Sequence, residues 1–314
     1  MNAPISDQTV LVTGGAGFIG SHLVDALHRT NEVRVLDDFS SGHRDNLPSD
    51  VTLIEGNILN DRAVRTATDG VDVIFHEAAV VDVGASVERP LETHDVNCTG
   101  GLTILDRARD EDARVVVASS AAVYGQPTRI PVSEDDPLRP TSPYGLQKVA
   151  LDRYATMYHD LYGLETVALR YFNVYGRRGE ASQYSGVIDA FVRRSLEGDP
   201  LVIFGDGTQT RDFVHVDDVV QANLLAATTD NVGTAYNIGT GDSVSIRDLA
   251  STIVELTDRP TPVQFEPARP GDIAESEADI TRARRDLGFE PTVSLRNGLG
   301  RIVSERKKRP TGYE

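Results

Sequence analysis

Three short strings in this 314-residue chain place chemically active side chains at spacings that let them work together. The first is Tyr144-Gly145-Leu146-Gln147-Lys148, which begins just after Pro143, where a helix can start. A separation of four residues puts the phenol and the ammonium on one helical face. A phenol titrates at about 10 and is a poor base at neutral pH, but a neighbouring ammonium favours its phenolate. Tyr144 is thus a candidate general base and Lys148 its activator. The second string, Val115-Val116-Val117-Ala118-Ser119-Ser120-Ala121-Ala122-Val123-Tyr124-Gly125, reads as a strand ending in two hydroxyls and a turn. Ligands of open α/β sheets bind outside the carboxyl ends of strands, so Ser119 and Ser120 are both expected to face a ligand crevice. The third, Thr13-Gly14-Gly15-Ala16-Gly17-Phe18-Ile19-Gly20-Ser21, follows one strand and opens the helix expected over Phe18–Leu27. Glycines there allow a tight turn and let backbone N–H groups and a helix N-terminus approach a pyrophosphate. The next strand ends Leu36-Asp37-Asp38, which puts Asp37 17 residues past Gly20, near the spacing of an acid that accepts ribose hydroxyls. A carboxylate at that place repels a 2′-phosphate, so NAD is favoured over NADP.

Such groups need a rigid frame, and the chain predicts one. Short β-branched runs at Thr9–Thr13, Glu32–Asp37, Val51–Glu55, Val71–Glu77, Arg114–Ser119, Thr166–Tyr171 and Ala235–Gly239 alternate with helical patterns. That alternation means an α/β fold, a doubly wound parallel sheet of the Rossmann type. The nearly continuous apolar character of the runs fits strands covered on both faces. From about Asn173 the pattern loosens into Pro- and Gly-rich joins at Gly198–Pro200, Gly205–Gly207 and Arg259–Gly271, while Arg211–Gly239 returns to helix and strand patterning. The expected division is a dinucleotide-binding domain over 1–172 with 211–240, and a smaller C-terminal α/β substrate domain over 173–210 with 241–314.

Composition narrows the partners. A formal charge of −17 excludes nucleic acid, which requires clustered cations. Any bound phosphate must be held locally. Of the 31 basic side chains only Lys148, Lys307 and Lys308 are lysine, and 31 aspartates stand against 17 glutamates. An acidic, Lys-poor surface suits strong salt, where screening removes the repulsion, so a halophilic host is expected. The lone Cys98 leaves no disulfide framework, and its expected role is apolar packing in a helix. A reducing, cytoplasmic setting follows, with no export signal and no membrane-spanning run. The histidines, His76, His94 and His215 among them, do not pair at metal-ligand spacing, so no metal is expected. The basic run Arg306–Arg309 reads as a solvated tail.

Taken in order, TGGAGFIGSH, the acid Asp37, Asn97, SSAAVYG, SPYGLQK, RYFNVYG, GDGTQTRDFVHVDDV, YNIGTG and RPGD cover nearly the whole chain. This set resembles the extended short-chain dehydrogenase/reductases, specifically the NAD-dependent epimerase/dehydratase family and its UDP-glucose 4-epimerase branch. The resemblance implies a catalytic set of Ser120, Tyr144 and Lys148. It implies NAD contacts from Gly14, Gly17, Phe18, Ile19, Gly20, Asp37, Asp38, Asn57, Ile58, Asn97, Tyr144, Lys148 and Tyr171. Substrate contacts follow for Ser120, Tyr144, Asn173, Arg211, Arg269 and Ser276, with the two arginines on the diphosphate of a UDP-sugar. A homodimer joined through two helices is implied as well.

Four positions depart from the pattern. Asn57 replaces an Asp that contacts adenine in many relatives. Ala121 and Ala122 stand where related 4,6-dehydratases carry Asp and Glu, and alanine transfers no proton. Ser276 falls where hexose-restricted epimerases place a tyrosine, leaving room for an N-acetylated sugar. The expected activity is 4-epimerisation of UDP-glucose and UDP-galactose, extending to N-acetylated UDP-hexoses, through a transient 4-keto sugar. The alternatives are a 4,6-dehydratase, a UDP-glucuronate 4-epimerase or decarboxylase, a reductase, or a non-catalytic NAD-sensing protein, against which the Tyr144–Lys148 pair counts.

Overall fold

All seven apolar runs enter one sheet. The structure is a computed structural model and describes residues 5–179, 186–269 and 271–308. The chain begins with β1 (Thr9–Thr13), α1 (Phe18–Leu27), β2 (Glu32–Asp37), β3 (Thr52–Glu55), α2 (Asp61–Thr68) and β4 (Val73–His76). It continues through α3 (Val83–Glu88), α4 (Pro90–His94), a π-helical stretch over Asp95–Gly100, α5 (Gly101–Glu111), β5 (Arg114–Ser120), α6 (Pro143–Tyr162) and β6 (Thr166–Tyr171). Next come β7 (Asn173–Tyr175), α7 (Gly186–Glu197), β8 (Leu201–Phe204), β9 (Thr210–Arg211), β10 (Phe213–His215) and α8 (Val216–Ala226). Last are β11 (Thr234–Ile238), β12 (Val244–Ser245), α9 (Ile246–Thr257), β13 (Val263–Glu266), α10 (Thr281–Leu287) and α11 (Leu295–Lys308).

The large sheet runs β11-β6-β5-β4-β1-β2-β3 and every pairing in it is parallel. The chain winds outward from β1 in one direction and then from β4 in the other. The crevice outside the carboxyl ends of β1 and β4 is therefore the topological switch point, where such sheets bind ligands. Strand alternation sends Val10, Val12, Val33, Val35 and Phe75 to one apolar layer with α1 and α8. It sends Leu11, Leu36, Ile74, Val115 and Val117 to the other, with α2, α5 and α6. Both faces are dry, which is why these strands read as continuous apolar runs.

A separate core forms the smaller lobe, where Ile188, Phe191 and Val192 of α7 meet Leu201, Ile203, Leu249, Ile253, Leu299 and Ile302. Three two-stranded sheets, β10-β7, β12-β9 and β13-β8, complete it. The packing departs from the sequence division in several places, with Val174 in the core of the large sheet and Phe213 in the smaller core. Ala283 and Leu287 of α10, with Phe289, join the core of the large sheet, because their i,i+4 apolar face turns toward it. The expectation of a solvated tail also needs correcting. Arg306 pairs with Asp189 at 2.8 Å and Lys307 donates to the Thr257 carbonyl at 3.0 Å, so the run is the last turn of α11 pinned to the smaller lobe. Arg309 lies outside the described residues. No described helix is long and apolar enough to cross a membrane.

Candidate active site

A cleft of about 420 Å³ opens at the switch point, and it is lined by Gly14, Gly17, Phe18, Ile19 and Gly20 from the turn between β1 and α1. Gly14 has φ +66°, and a Cβ there would meet the Ala78 backbone at 2.8 Å, while one at Gly20 would strike the Gly14 carbonyl. Only glycine lets the turn fold this tightly. Helix α1 begins at Gly17 with no side-chain cap and no acid in its first turn. Its free N–H donors and dipole thus face the cleft unsatisfied, the environment a diphosphate needs.

Asp37, Asp38, Asn57 and Ile58 line the same cleft. The Asp37 carboxylate accepts from the Ala16 N–H at 2.9 Å and the Phe39 N–H at 2.8 Å, one bond to each oxygen. Each oxygen keeps a lone pair for a ribose hydroxyl. Burial pushes the Asp37 carboxyl up, and these N–H donors oppose it. Asn57 donates to Asp38 at 2.6 Å and accepts from the Leu59 N–H, so the amide at this position orients the second acid. The residues present fit NAD: an uncapped helix start for the diphosphate and a fixed carboxylate for the ribose.

Catalytic chemistry is expected where β5 ends and α6 begins. Ser142 caps α6 by accepting from the Gly145 N–H at 3.1 Å, and Pro143 takes the first turn, where it loses no helical bond. A Cβ on Gly145 would meet the Ala122 carbonyl at 2.7 Å, so this glycine lets the start of α6 lie directly on the turn after Ser120. The packing brings Tyr144 and Lys148 against the end of β5, both about 2% exposed. Lys148 donates from Nζ to the Ala118 carbonyl at 2.8 Å and stands 5.9 Å from the centre of the Tyr144 ring. Burial brings the Lys148 ammonium down to about 8, opposed by the Glu77 carboxylate. Ala118 and Glu77 also line the cleft, so the lysine adjoins its wall.

The two serines part company. Ser120 Oγ accepts from the Ala122 N–H at 3.2 Å, which leaves its proton to donate. Ser119, expected beside it in the crevice, faces the opposite way, because consecutive strand residues alternate. Its hydroxyl donates to Asp152 at 3.0 Å, within a buried ion pair of Asp152 with Arg170 at 2.8 Å. Arg170 also donates to Tyr124, whose hydroxyl donates to Asn237 at 2.6 Å. This network was missed, although Asp152 continues the helical stripe of Tyr144 and Lys148 by one more turn.

Other expected ligand residues occupy mixed positions. Asn97 is buried, and its amide grips both backbone groups of Val80 and the Gln147 side chain, so it shapes the cleft wall and steadies the residue before Lys148. The Tyr171 hydroxyl at the end of β6 donates to Glu77 at 2.8 Å and accepts from Asn223 at 2.8 Å. Asn173 follows at the start of β7, half-buried. Arg211 does not stand free: it donates to the Thr210 and Ile273 carbonyls and pairs with Asp272. Arg269 lies over the Phe204 ring at 4.0 Å, and its carbonyl accepts from the Asp272 N–H, so one turn joins the two arginine sites. Ser276 is buried, 8% exposed, just beyond that turn. Glu77 and Arg178, which also line the cleft, went unnoticed in the sequence. No group of acids, histidines and cysteines among the described residues is arranged to hold a metal.

Residues 10–239 match the NAD dependent epimerase/dehydratase family. The chain belongs to that family. This family member uses NAD. It is 40% identical over 302 residues to the UDP-glucose 4-epimerase of Mycolicibacterium smegmatis, covering 93% of this chain and 96% of that one. Its fold superposes on the UDP-glucose 4-epimerase of Thermotoga maritima with UDP-glucose, with a TM-score of 0.92 at 36% identity, covering 96% of this chain and 99% of the other. A UDP-N-acetylglucosamine 4-epimerase of Methanobrevibacter ruminantium, in complex with UDP-N-acetylmuramic acid, gives a TM-score of 0.91 at 36% identity, covering 96% and 98%.

Proposed function

We propose that this family member interconverts UDP-hexoses at C4. The observation that carries the reading is the buried Tyr144–Lys148 pair beside the cleft, with alanines at 121 and 122. Tyr144 as phenolate takes the proton of the sugar 4-hydroxyl, Ser120 donates a hydrogen bond to that oxygen, and the Lys148 charge favours the phenolate. NAD, when bound, supplies a reversible hydride acceptor for C4. The 4-keto sugar turns about its diphosphate, and Tyr144 returns the same proton after the face has changed. Arg211 and Arg269 hold that diphosphate; Asp272 keeps the Arg211 guanidinium oriented until an anion displaces it. Without a carboxyl group at 121 or 122, loss of water from the sugar has no acid or base in that turn.

Ser276 supports acceptance of N-acetylated hexoses, since a serine fills less of the sugar site than a tyrosine. Purified enzyme given UDP-glucose, UDP-N-acetylglucosamine and UDP-glucuronate should return the first two as 4-epimers, with no 4-keto-6-deoxy sugar and no pentose. Tyr144→Phe should lower turnover about a hundredfold or more. Near wild-type turnover in that variant would remove the reading.

We infer a homodimer in a salt-rich cytoplasm. Leu146, Met157, Leu161 and Tyr162 stand exposed on α6, and Arg109 of α5 covers the Tyr162 ring at 4.7 Å, an apolar face suited to the same face of a second copy. A sedimentation mass of one 34.1 kDa chain at high salt would oppose the pairing.

A further inference from the structure

The cleft has two chemically different ends. Asp37 and Asp38 mark the ribose end, and Ala118, whose carbonyl holds Lys148, marks the other. Glu77, the first residue after β4, stands at the Lys148 end, half-buried in the cleft wall. Its carboxylate accepts the Tyr171 hydroxyl at 2.8 Å, and Asn223 of α8 donates to that same hydroxyl at 2.8 Å, so β4, β6 and α8 together fix where the acid sits. Tyr171 is 1% exposed, and its hydroxyl is held between Glu77 and Asn223.

We propose that Glu77 is a redox-biasing carboxylate, which as an anion beside the cofactor cleft favours the cationic, oxidised nicotinamide over the neutral, reduced one. The inference rests on Tyr144 and Lys148 marking the reacting end of the cofactor. An epimerase must return the hydride it takes, and a fixed negative charge keeps the reduced cofactor a strong donor to the keto sugar. Electrons and protons balance within the cycle: the substrate C–H bond gives a hydride to the cofactor, Tyr144 takes the hydroxyl proton, and both are returned.

The groups facing Glu77 set when it is charged. Lys148 of α6 attracts its anion, and Tyr171 of β6 stabilises it by donation, but burial outweighs both and pushes the carboxyl up to about 7. His76 beside it on β4 is neutral, held down to about 3 by burial and by Lys148. Asn223 is uncharged. Cys98 faces Lys148 from the π-helical stretch, and burial raises its thiol, so it adds no charge at neutral pH. The bias is therefore absent well below about 7 and complete well above it.

Holoenzyme is equilibrated with a redox mediator of fixed potential, and the bound reduced-to-oxidised ratio is read from dihydronicotinamide absorbance, relative to free cofactor in the same solution. Well above neutral pH, Glu77→Gln should raise that ratio about tenfold, as expected for removing one charge at close range in a partly buried site. The amide oxygen still accepts from Tyr171, so the fold is retained. In the wild type the relative ratio should rise as pH falls through the Glu77 midpoint, and in the variant that step should vanish, leaving only the change that follows the Lys148 charge near about 8. An unchanged or lower ratio in Glu77→Gln overturns the proposal. If that variant fails to retain cofactor, Tyr171→Phe decides: losing the donor should move the wild-type midpoint to higher pH, and an unmoved midpoint rejects the idea. The redox ratio does not depend on turnover, so an active Tyr144→Phe enzyme would sink the catalytic reading while leaving this measurement intact.

Discussion

Lys148 and Ser119 show how far a residue's type is from its role. Lys148 is a buried cation whose proton is held less tightly than in water, at about 8, because desolvation outweighs the attraction of Glu77. Its folded value lies below its ordinary one, so the charge proposed to support a Tyr144 phenolate is present at neutral pH and is lost as pH rises through about 8. Turnover should fall over that same range. A kcat profile still flat about two units higher would mean that the ammonium is not what activates the phenol. Ser119 and Ser120 are chemically identical neighbours, yet one completes an ion-pair network and the other keeps a free proton. Their types and spacing made both candidates; the direction of each side chain separated them.

Helix α6 is the element on which the site depends. Its inward stripe carries Tyr144, Lys148 and Asp152, and its start is fixed by the Ser142 cap and by the close approach at Gly145. Asp152 is 1% exposed and bonds Arg170 through both oxygens at 2.8 and 3.0 Å. Asp152→Ala should cost about 3–5 kcal/mol in denaturant unfolding, because it strands a buried guanidinium, and it should also loosen the turn that bears Ser120. A loss below about 1 kcal/mol would mean that water reaches Arg170. The strands were legible because period and β-branching report burial on both faces, and all seven expected runs lie in the sheet. Helix α10 was not legible as part of the large lobe, since seven residues with one apolar face suit either core.

At the scale of the whole molecule the charge of −17 is a property of the surface and sets solvent response more than fold. Exposed ion pairs, such as Arg44 with Glu55, contribute little, so repulsion among the excess acids outweighs them and is what salt removes. The Debye length falls to about 3 Å at 1 M salt, and the thermal midpoint should rise between low and molar potassium chloride. A level or falling midpoint would leave the scarcity of lysine without a solvent explanation. The acidic surface also bears on the proposed substrate contacts: a diphosphate approaches against the net field, so the proposal requires Arg211 and Arg269 to attract it locally.

What the amino-acid string determined by itself was everything that depends on local spacing: the glycine turn, the Tyr144–Lys148 face, the order of strands and helices, and the absence of carboxyl groups at 121 and 122. Tertiary structure alone decided which groups meet across long separations. It set Glu77 against Tyr171, 94 residues away, and Asp272 against Arg211, 61 residues away. Those pairings depend on which strand ends lie side by side at the switch point and on how the smaller lobe seats over them. Periodicity carries no information about such contacts, because a carboxylate reads the same in sequence whether it faces water or a buried phenol.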